Sequence, residues 1–304
     1  MPEKITAEKL VELGMKPGAA KKLAARIENA RKSRSPREAW ARLSAGILSP
    51  ALPFEVHHHV FETVYAGRGE DEPPAPAWIP SREEIAATNL TRLMFDQSLE
   101  SYEELHAWSV GCRAEFWEKM ASRLGIRFRK PFASAMDTSR SDVSPEWFAG
   151  SELNITESCF SAKPDSPAVV CGRPDGSMTT VTVAELESLV NRVAGSLADA
   201  GFRPGDAVAI DMPMNVEAVA AYLGIVRAGC AVVGIADSFA PEEIAKRLRL
   251  GGARAVFTQD FILYGSKRLP LFEKVAAAGA PRAIVLAAGE SPAAELRDGD
   301  LPWE

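Results

Sequence analysis

No two cysteines stand close enough in this sequence to form a Cys-x-x-Cys pair. The four present, Cys112, Cys159, Cys171 and Cys230, are scattered through 304 residues, which argues against a zinc site and a disulfide framework and fits a reducing compartment. A long basic block is also lacking. Thirty-five Lys and Arg face 41 Asp and Glu for a net charge of -6, so nucleic acid finds little electrostatic attraction. The N-terminal MPEKITAEKL has no apolar core with a small-residue cleavage site behind it, so we expect no secretory signal and a mature chain that starts here. The most apolar stretch, 216–236, is interrupted by Glu217, Arg227 and Gly229, which favours a buried helix and a buried strand over a membrane span. Neither G-x-x-x-x-G-K-[ST] nor a G-x-G-x-x-G following a strand occurs, so the phosphate fingerprints of P-loop and dinucleotide-binding enzymes are missing. His57, His58 and His59 are consecutive and point in different directions with no Asp or Cys nearby to complete a set; no metal site is expected.

What remains is ordinary globular composition, 46% hydrophobic and 25% charged, on a chain long enough for one large domain or two smaller ones. Residues 1–66 read as a helical preface: apolar residues recur three and four apart from Ile5 to about Leu48, before Pro50 and Pro53 break the pattern. Residues 67–165 read as a linker, helices and an irregular wrap. Gly, Pro and acids crowd 67–80, two helices are expected over 81–125 behind capping boxes at Ser81/Glu84 and Ser101/Glu104, and 131–165 shows no sustained period. From 166 to 304 the character changes. Two β-rich runs flank a hairpin signal at Asp175-Gly176, and Thr182 caps a helix ended by Gly201. Strands then alternate with helices: AVAIDMP, NVEAVAAYLGIVRAG, CAVVGIA, PEEIAKRLRLGG, ARAVFTQ, LPLFEKVAAAG, RAIVLA. The expected class is α/β, an N-terminal helical region followed by an incomplete doubly wound parallel sheet with helices on both faces. The chain stops at GDLPWE with no closing helix or strand expected there.

Two loops carry candidate chemistry. A nucleophilic cysteine is weakly supported, because no histidine lies close to any of the four, and a buried apolar role is the commoner one. In DFILYGSKRLPLFEKV, Gly265 and Ser266 allow close backbone approach and Lys267 and Arg268 put two cations on a loop leaving a strand end, where ligands of α/β sheets sit. The competing reading is a solvated basic loop.

In order along the chain, EFWEKMASRL, KPF and WFAGSELNITESCF resemble the F-W helix, basic-aromatic link and W-F-x-G-G-x-L-N-x-x-x-N-C signature of the acetyl-CoA synthetase-like branch of AMP-forming acyl-activating enzymes. Trp147, Phe148, Leu153, Asn154 and Cys159 carry that signature, as structural positions. The likeness continues from TVTVAELESL through DMPMNVEAV to FAPEEIAKRL, and the preface with PPAPAWIPSREEIAATNLTRLM is most similar to plant-type peroxisomal members. Such enzymes join a carboxylic acid to ATP with Mg²⁺, release diphosphate, and pass the acyl group from AMP to the thiol of CoA. The resemblance implies ATP, Mg²⁺ and CoA as cofactors of a complete enzyme, and a cytoplasmic or peroxisomal site of action. The family's Ser/Thr/Gly-rich phosphate loop, aromatic-Thr-Glu motif, ribose-binding Asp and C-terminal Lys do not occur in these 304 residues. We therefore expect the front portion of an acyl-CoA synthetase, ending before the phosphate loop and inactive alone. The alternatives are a non-catalytic regulatory chain that pairs with a full-length relative and, less well supported, another α/β nucleotide-dependent enzyme. Where relatives bring a basic R-G-G-[RK] turn to the CoA phosphates, this chain has Tyr264, Gly265, Ser266, Lys267, so Gly265, Lys267 and Arg268 are the implied CoA contacts. Arg247 matches a further basic position and is expected to be a surface charge.

Overall fold

The computed structural model describes residues 4–303 apart from 33, 70, 173–175, 266 and 290–292. It divides into two compact units, Met1–Ala107 and Trp108–Glu304. In the first, α1 (Ala7–Glu12), α2 (Pro17–Arg31), α3 (Pro36–Gly46) and α4 (Phe54–Tyr65) close around Leu10, Ile27, Leu43, Val56 and Val60, which are all fully buried. Thr6 and Ser35 cap α1 and α3, Ser35 in a reciprocal box with Glu38, so the apolar stripe of each short helix faces one core while its first-turn N–H groups are satisfied.

The stretch read as two helices holds four. Ser81 forms its expected box with Glu84, but α5 (Arg82–Ala86) ends early, because Thr88 caps a new helix, α6 (Asn89–Asp96). Likewise α7 (Tyr102–Gly111) gives way at Cys112 to α8 (Arg113–Arg123). The wrap read as irregular contains an antiparallel pair, β1 (Ser134–Asp137) with β2 (Glu146–Ala149), and a short helix, α9 (Thr156–Cys159). Strands of four residues are too short to declare themselves by alternation.

The hairpin signal is met by β3 (Pro167–Gly172) and β4 (Met178–Thr182), paired antiparallel; of its two turn residues, Asp175 lies outside the described residues. Thr182 then caps α10 (Val183–Asp199), with Glu185 reaching back to its N–H. The sheet follows: β5 (Ala207–Asp211), α11 (Val216–Arg227), β6 (Ala231–Gly234), α12 (Pro241–Gly251), β7 (Ala253–Gln259), a hairpin of β8 (Phe261–Tyr264) and β9 (Lys267–Pro270), α13 (Phe272–Ala277), β10 (Ala283–Leu286) and β11 (Leu301–Pro302). The five parallel strands lie in the order β11-β10-β7-β5-β6. Successive residues of one strand face opposite sides: Val208 and Phe257 pack with Leu197 of α10 and Ile225 of α11, while Ala209 and Val256 pack with Ile244 of α12 and Val275 of α13. Helices thus cover both faces, as the alternation of segments implied.

Further expectations are corrected. GDLPWE does contain a strand, since β11 adds to the parallel sheet beside β10. The segment read as a loop from Asp260 is an antiparallel hairpin, with Phe261 opposite Pro270 and Tyr264 opposite Lys267; its apolar run suits a strand, and the left-handed Gly265 (φ 59°) permits a tight turn. The helix expected over 269–279 is correspondingly shortened, because Leu269 and Pro270 belong to β9.

Helices α10 and α11 are closely apposed. A Cβ built at Gly224 would lie 2.5 Å from Val193 Cγ1 and 3.2 Å from the Val190 carbonyl oxygen. Gly224→Ala is therefore expected to cost about 1–3 kcal/mol, the range for an overpacked core. A lowered urea midpoint with unchanged slope would register it, and an unchanged midpoint would show that the helices separate freely.

Candidate functional site

Strand β5 leads to β6 on one side of itself and the chain then returns to β7 on the other, so the order of strands reverses between β5 and β7. The crevice outside the carboxyl ends of strands at such a reversal is where open α/β sheets place ligands. Asp211 ends β5, and Gln259 ends β7 with Asp260 next to it. Asn215 accepts the Ala218 N–H at 2.8 Å, capping α11, and its Nδ2 donates to Gln259 Oε1 at 3.0 Å. Gln259 Nε2 in turn donates to the Phe261 carbonyl at 2.6 Å. Two side-chain amides thereby bind the start of α11 to the root of the hairpin.

Asp260 does the same with its carboxylate. Buried to 3% exposure, it accepts the N–H of Phe261 (2.7 Å) and Ala288 (2.9 Å) on Oδ1 and of Ala293 (2.9 Å) on Oδ2. Its carbonyl accepts from the Leu271 and Phe272 N–H groups. Both ends of the hairpin thus return to one residue.

Asp211 is different in kind. It is fully buried, and neither carboxylate oxygen has a hydrogen-bond partner among the described residues. Burial pushes its pKa up to about 7, opposed by the Lys274 charge on α13 and reinforced by Asp237. Lys274 is itself held by the Asp237 and Phe239 carbonyls.

The hairpin carries all three residues the sequence singled out as ligand contacts, with Lys267 and Arg268 as successive residues of β9 that face opposite sides of it. Lys267 and Arg268 are exposed beside Gly265, while Ser266 lies outside the described residues. The Arg268 guanidinium lies 3.5 Å from the centroid of the Phe261 ring, a cation–π contact that fixes a delocalised charge without a carboxylate. Below it is a cavity of about 330 Å³ lined by Asp260, Phe261, Arg268, Pro270, Glu273, Ala293 and Ala294. One guanidinium faces two carboxylates in this cavity, Asp260 and Glu273, so an anion meets positive charge only on the exposed surface of the hairpin, at Lys267 and Arg268.

The signature residues lie apart from the hairpin and hold chain segments together. Trp147 meets Trp117 edge to face at 6.2 Å, and Phe148, left-handed at φ 50°, packs against Phe128 and Phe132. Leu153 and Cys159 are exposed, and the Cys159 thiol contacts the Ile155 carbonyl. Asn154 is the anchor. Its Nδ2 donates to the carbonyls of Val226 (2.8 Å) and Arg227 (3.3 Å), closing the C-terminus of α11, while its Oδ1 accepts from the Thr156 amide and hydroxyl. Asn154→Ala should lower stability by about 2 kcal/mol, since it leaves the buried Thr156 and two half-buried carbonyls without their partner. Thermal unfolding checks this, and a melting temperature within a degree of the parent would contradict it.

Arg247 pairs with Glu243 and lies over Phe239, so it serves its own helix. His57 contacts the Ser49 carbonyl and His58 pairs with Glu62; among the described residues no three His, Cys, Asp or Glu side chains converge on a metal position. Burial raises the Cys230 pKa, the wrong direction for a nucleophile. Asp211, Asn215, Gln259 and Asp260 were not anticipated. The available signal was a carboxylate in each of two otherwise buried strand ends.

Comparison with known proteins agrees with this geometry. Residues 156–301 match the AMP-binding enzyme family, 102–159 the acetyl-coenzyme A synthetase N-terminus, and 3–66 the SAM domain of probable acyl-activating enzymes 17/18. The chain is 36% identical over 98% of its length to "Probable acyl-activating enzyme 17, peroxisomal" of Arabidopsis thaliana, and 36% identical over 88% to the hexanoyl-CoA synthase of Cannabis sativa. It spans 44% and 40% of those two relatives. The acetoacetyl-CoA synthetase from Streptomyces lividans superposes with a TM-score of 0.67 at 28% identity, over 76% of this chain and 37% of that one. No helix among the described residues is long and apolar enough to cross a membrane. With ordered signature segments, a matching sheet and relatives aligned along nearly the whole chain, the protein belongs to the acyl-CoA synthetase-like, AMP-binding family of adenylate-forming enzymes.

Proposed function

We propose that the chain is the front portion of an acyl-CoA synthetase, which converts a carboxylic acid, ATP and CoA to acyl-CoA, AMP and diphosphate, and that its hairpin supplies part of the CoA site. The observation that carries this is the presence of Lys267 and ring-held Arg268 next to the left-handed Gly265 on the hairpin at the reversal of the sheet. Those groups suit the CoA phosphates, which need cations and close backbone approach. CoA supplies the thiol that takes the acyl group. Within this chain, Lys267 and Arg268 bind and orient the anion, Asp260 holds the root of the hairpin, and Asn154 fixes the signature segment against α11.

ATP and Mg²⁺ do not fit in the same way. The 304 residues contain none of the family's phosphate-loop, aromatic-Thr-Glu or lid motifs, so no adenylation step is assigned to them. We assign the work to the cytoplasm or the peroxisome, with support from the name of the plant relative. A regulatory role through pairing with a full-length relative is the second reading, favoured by the outer sides of β6 and β11, which pair with no further strand among the described residues.

Calorimetric titration of CoA tests the first reading, with ATP–diphosphate exchange measured beside it. Saturable CoA binding weakened about tenfold or more in Lys267→Ala/Arg268→Ala is expected, each charge-assisted contact contributing on the order of 1.5 kcal/mol, with exchange at background. Diphosphate exchange by these 304 residues, or CoA binding indifferent to both cations, would sink it. Co-sedimentation with a full-length synthetase and no CoA binding would favour the regulatory chain.

A further inference from the structure

The chain as a whole is acidic, but its first helices are not. Residues 1–66 carry 11 Lys and Arg against 7 Glu and no Asp, a net of +4 in a protein of net -6. Four of those eleven cations line a cavity of about 670 Å³, bounded by Lys4, Glu28, Arg31, Lys32, Arg34, Pro36, Ala39 and Val64.

Four cations face one carboxylate there, and two of the four are held in place by the fold. Arg34 Nη1 donates to the Ala30 carbonyl at 2.9 Å and to the carbonyls of Asn29 and Lys32, capping the C-terminus of α2. Its Nε and Nη2 have no partner among the described residues. Arg31 bonds Glu28 Oε1 at 3.0 Å and reaches the Thr63 carbonyl at 3.5 Å, with a side chain only 12% exposed. Glu28 is occupied further, accepting the Ile5 N–H at 3.3 Å. Lys4 and Lys32 have no carboxylate partner among the described residues, and both are exposed at the cavity. Among the described residues the lining charge is therefore +3, which is more than a monocarboxylate neutralises and suits a dianion. Ala39 and Val64 are buried, so one wall of the same cavity is apolar.

We infer that this cavity in the helical unit is an anion-binding site for a phosphomonoester carrying a small apolar group. Arg34, tied to the end of α2, turns its remaining donors to the phosphate, Lys4 and Lys32 close over it, and Ala39 and Val64 take the apolar part, while Arg31 stays bound to Glu28 and Thr63. A volume of this size is that of a small-molecule site, and guanidinium groups are matched to phosphate oxygens. The site lies outside the sheet and its hairpin and does not depend on CoA or on any adenylation activity.

The test is calorimetric titration of the 304-residue chain with phenyl phosphate, inorganic phosphate and hexanoate at low ionic strength. Phenyl phosphate should bind saturably at one site, more tightly than inorganic phosphate and at least about tenfold more tightly than hexanoate. Lys4→Glu/Lys32→Glu, at two exposed positions that should leave folding intact, should weaken it about tenfold or more, whereas Lys267→Ala/Arg268→Ala should leave it unchanged. Loss of CoA binding in the hairpin variant with phosphate binding intact would separate this site from the proposed CoA contact. The inference fails if phenyl phosphate shows no saturable binding below about 10 mM, a range weaker than ordinary ligand recognition, or if the helical variant binds as well as the parent. It fails equally if hexanoate binds as tightly, or if a mixed-sequence oligonucleotide binds far more tightly than phenyl phosphate, which would make the cations a polyanion surface.

Discussion

Asp260→Ala should lower stability by about 3 kcal/mol or more, because three backbone N–H groups from separate stretches lose one buried acceptor and each unsatisfied donor costs about 1–3 kcal/mol. Asp260→Asn should lie between the two. The amide keeps an oxygen for Phe261 and Ala288, both bonded to Oδ1, but turns an N–H₂ toward the Ala293 N–H. Urea denaturation gives the order parent, Asn, Ala. Amide exchange adds a localisation: protection at Phe261, Leu271 and Ala288 should fall more than at Val208 or Val256 in the middle of the sheet. Equal midpoints for all three proteins would mean that the carboxylate is a bystander and the hairpin is held by its own ladder.

Asp211 predicts an effect of similar size with an unusual pH signature. Its folded pKa of about 7 lies above the ordinary 3.8, so between those values the folded chain binds more protons than the unfolded one. Stability contributed by this site therefore falls as pH rises through that window and is least above pH 7. At about 1.4 kcal/mol per pH unit, the full window amounts to roughly 4 kcal/mol as an order of magnitude. Asp211→Asn removes the titration, so the variant should match the parent near pH 4 and exceed it by about 2–4 kcal/mol at pH 8. The difference between the two proteins is the quantity to plot. Surface acids such as Glu157 and Asp206, whose pKa values are lowered by hydrogen bonds to Arg129 and to the Arg203 amide respectively, work in the opposite sense but cancel in the subtraction. Lys274→Met should enlarge the gap by removing the opposing positive charge. A difference that does not vary with pH would show that the Asp211 carboxyl reaches water in the folded state.

The alternation of helix and strand beyond residue 200 was legible because the central parallel strands are buried on both faces, so that AVAID and ARAVF read as short apolar runs separated by capped helices. Capping was legible too: Thr182 caps α10 and Ser81 forms its box with Glu84 as read. The β8–β9 hairpin was not, because Lys267 and Arg268 look like loop residues unless the Tyr264–Lys267 pairing is known. Nor was β11, since two residues carry no period. The cations of the candidate site were visible as residue types at a strand end. Their support was not, because Asp260, Ala288 and Ala293 meet only after the chain has passed through α13 and β10, and no local pattern encodes that meeting.

The ring beneath Arg268 makes the two neighbouring cations of the hairpin unequal. Lys267 must give up side-chain freedom each time it meets an anion, about 1.5–2 kcal/mol for a long flexible chain, and its attraction fades as electrolyte is added. Arg268 has already surrendered much of that freedom to Phe261, and dispersion against an aromatic face is insensitive to ionic strength. Added salt should therefore weaken a negatively charged guest at both residues while leaving Arg268 seated on its ring, so that the ordering cost falls mainly on Lys267.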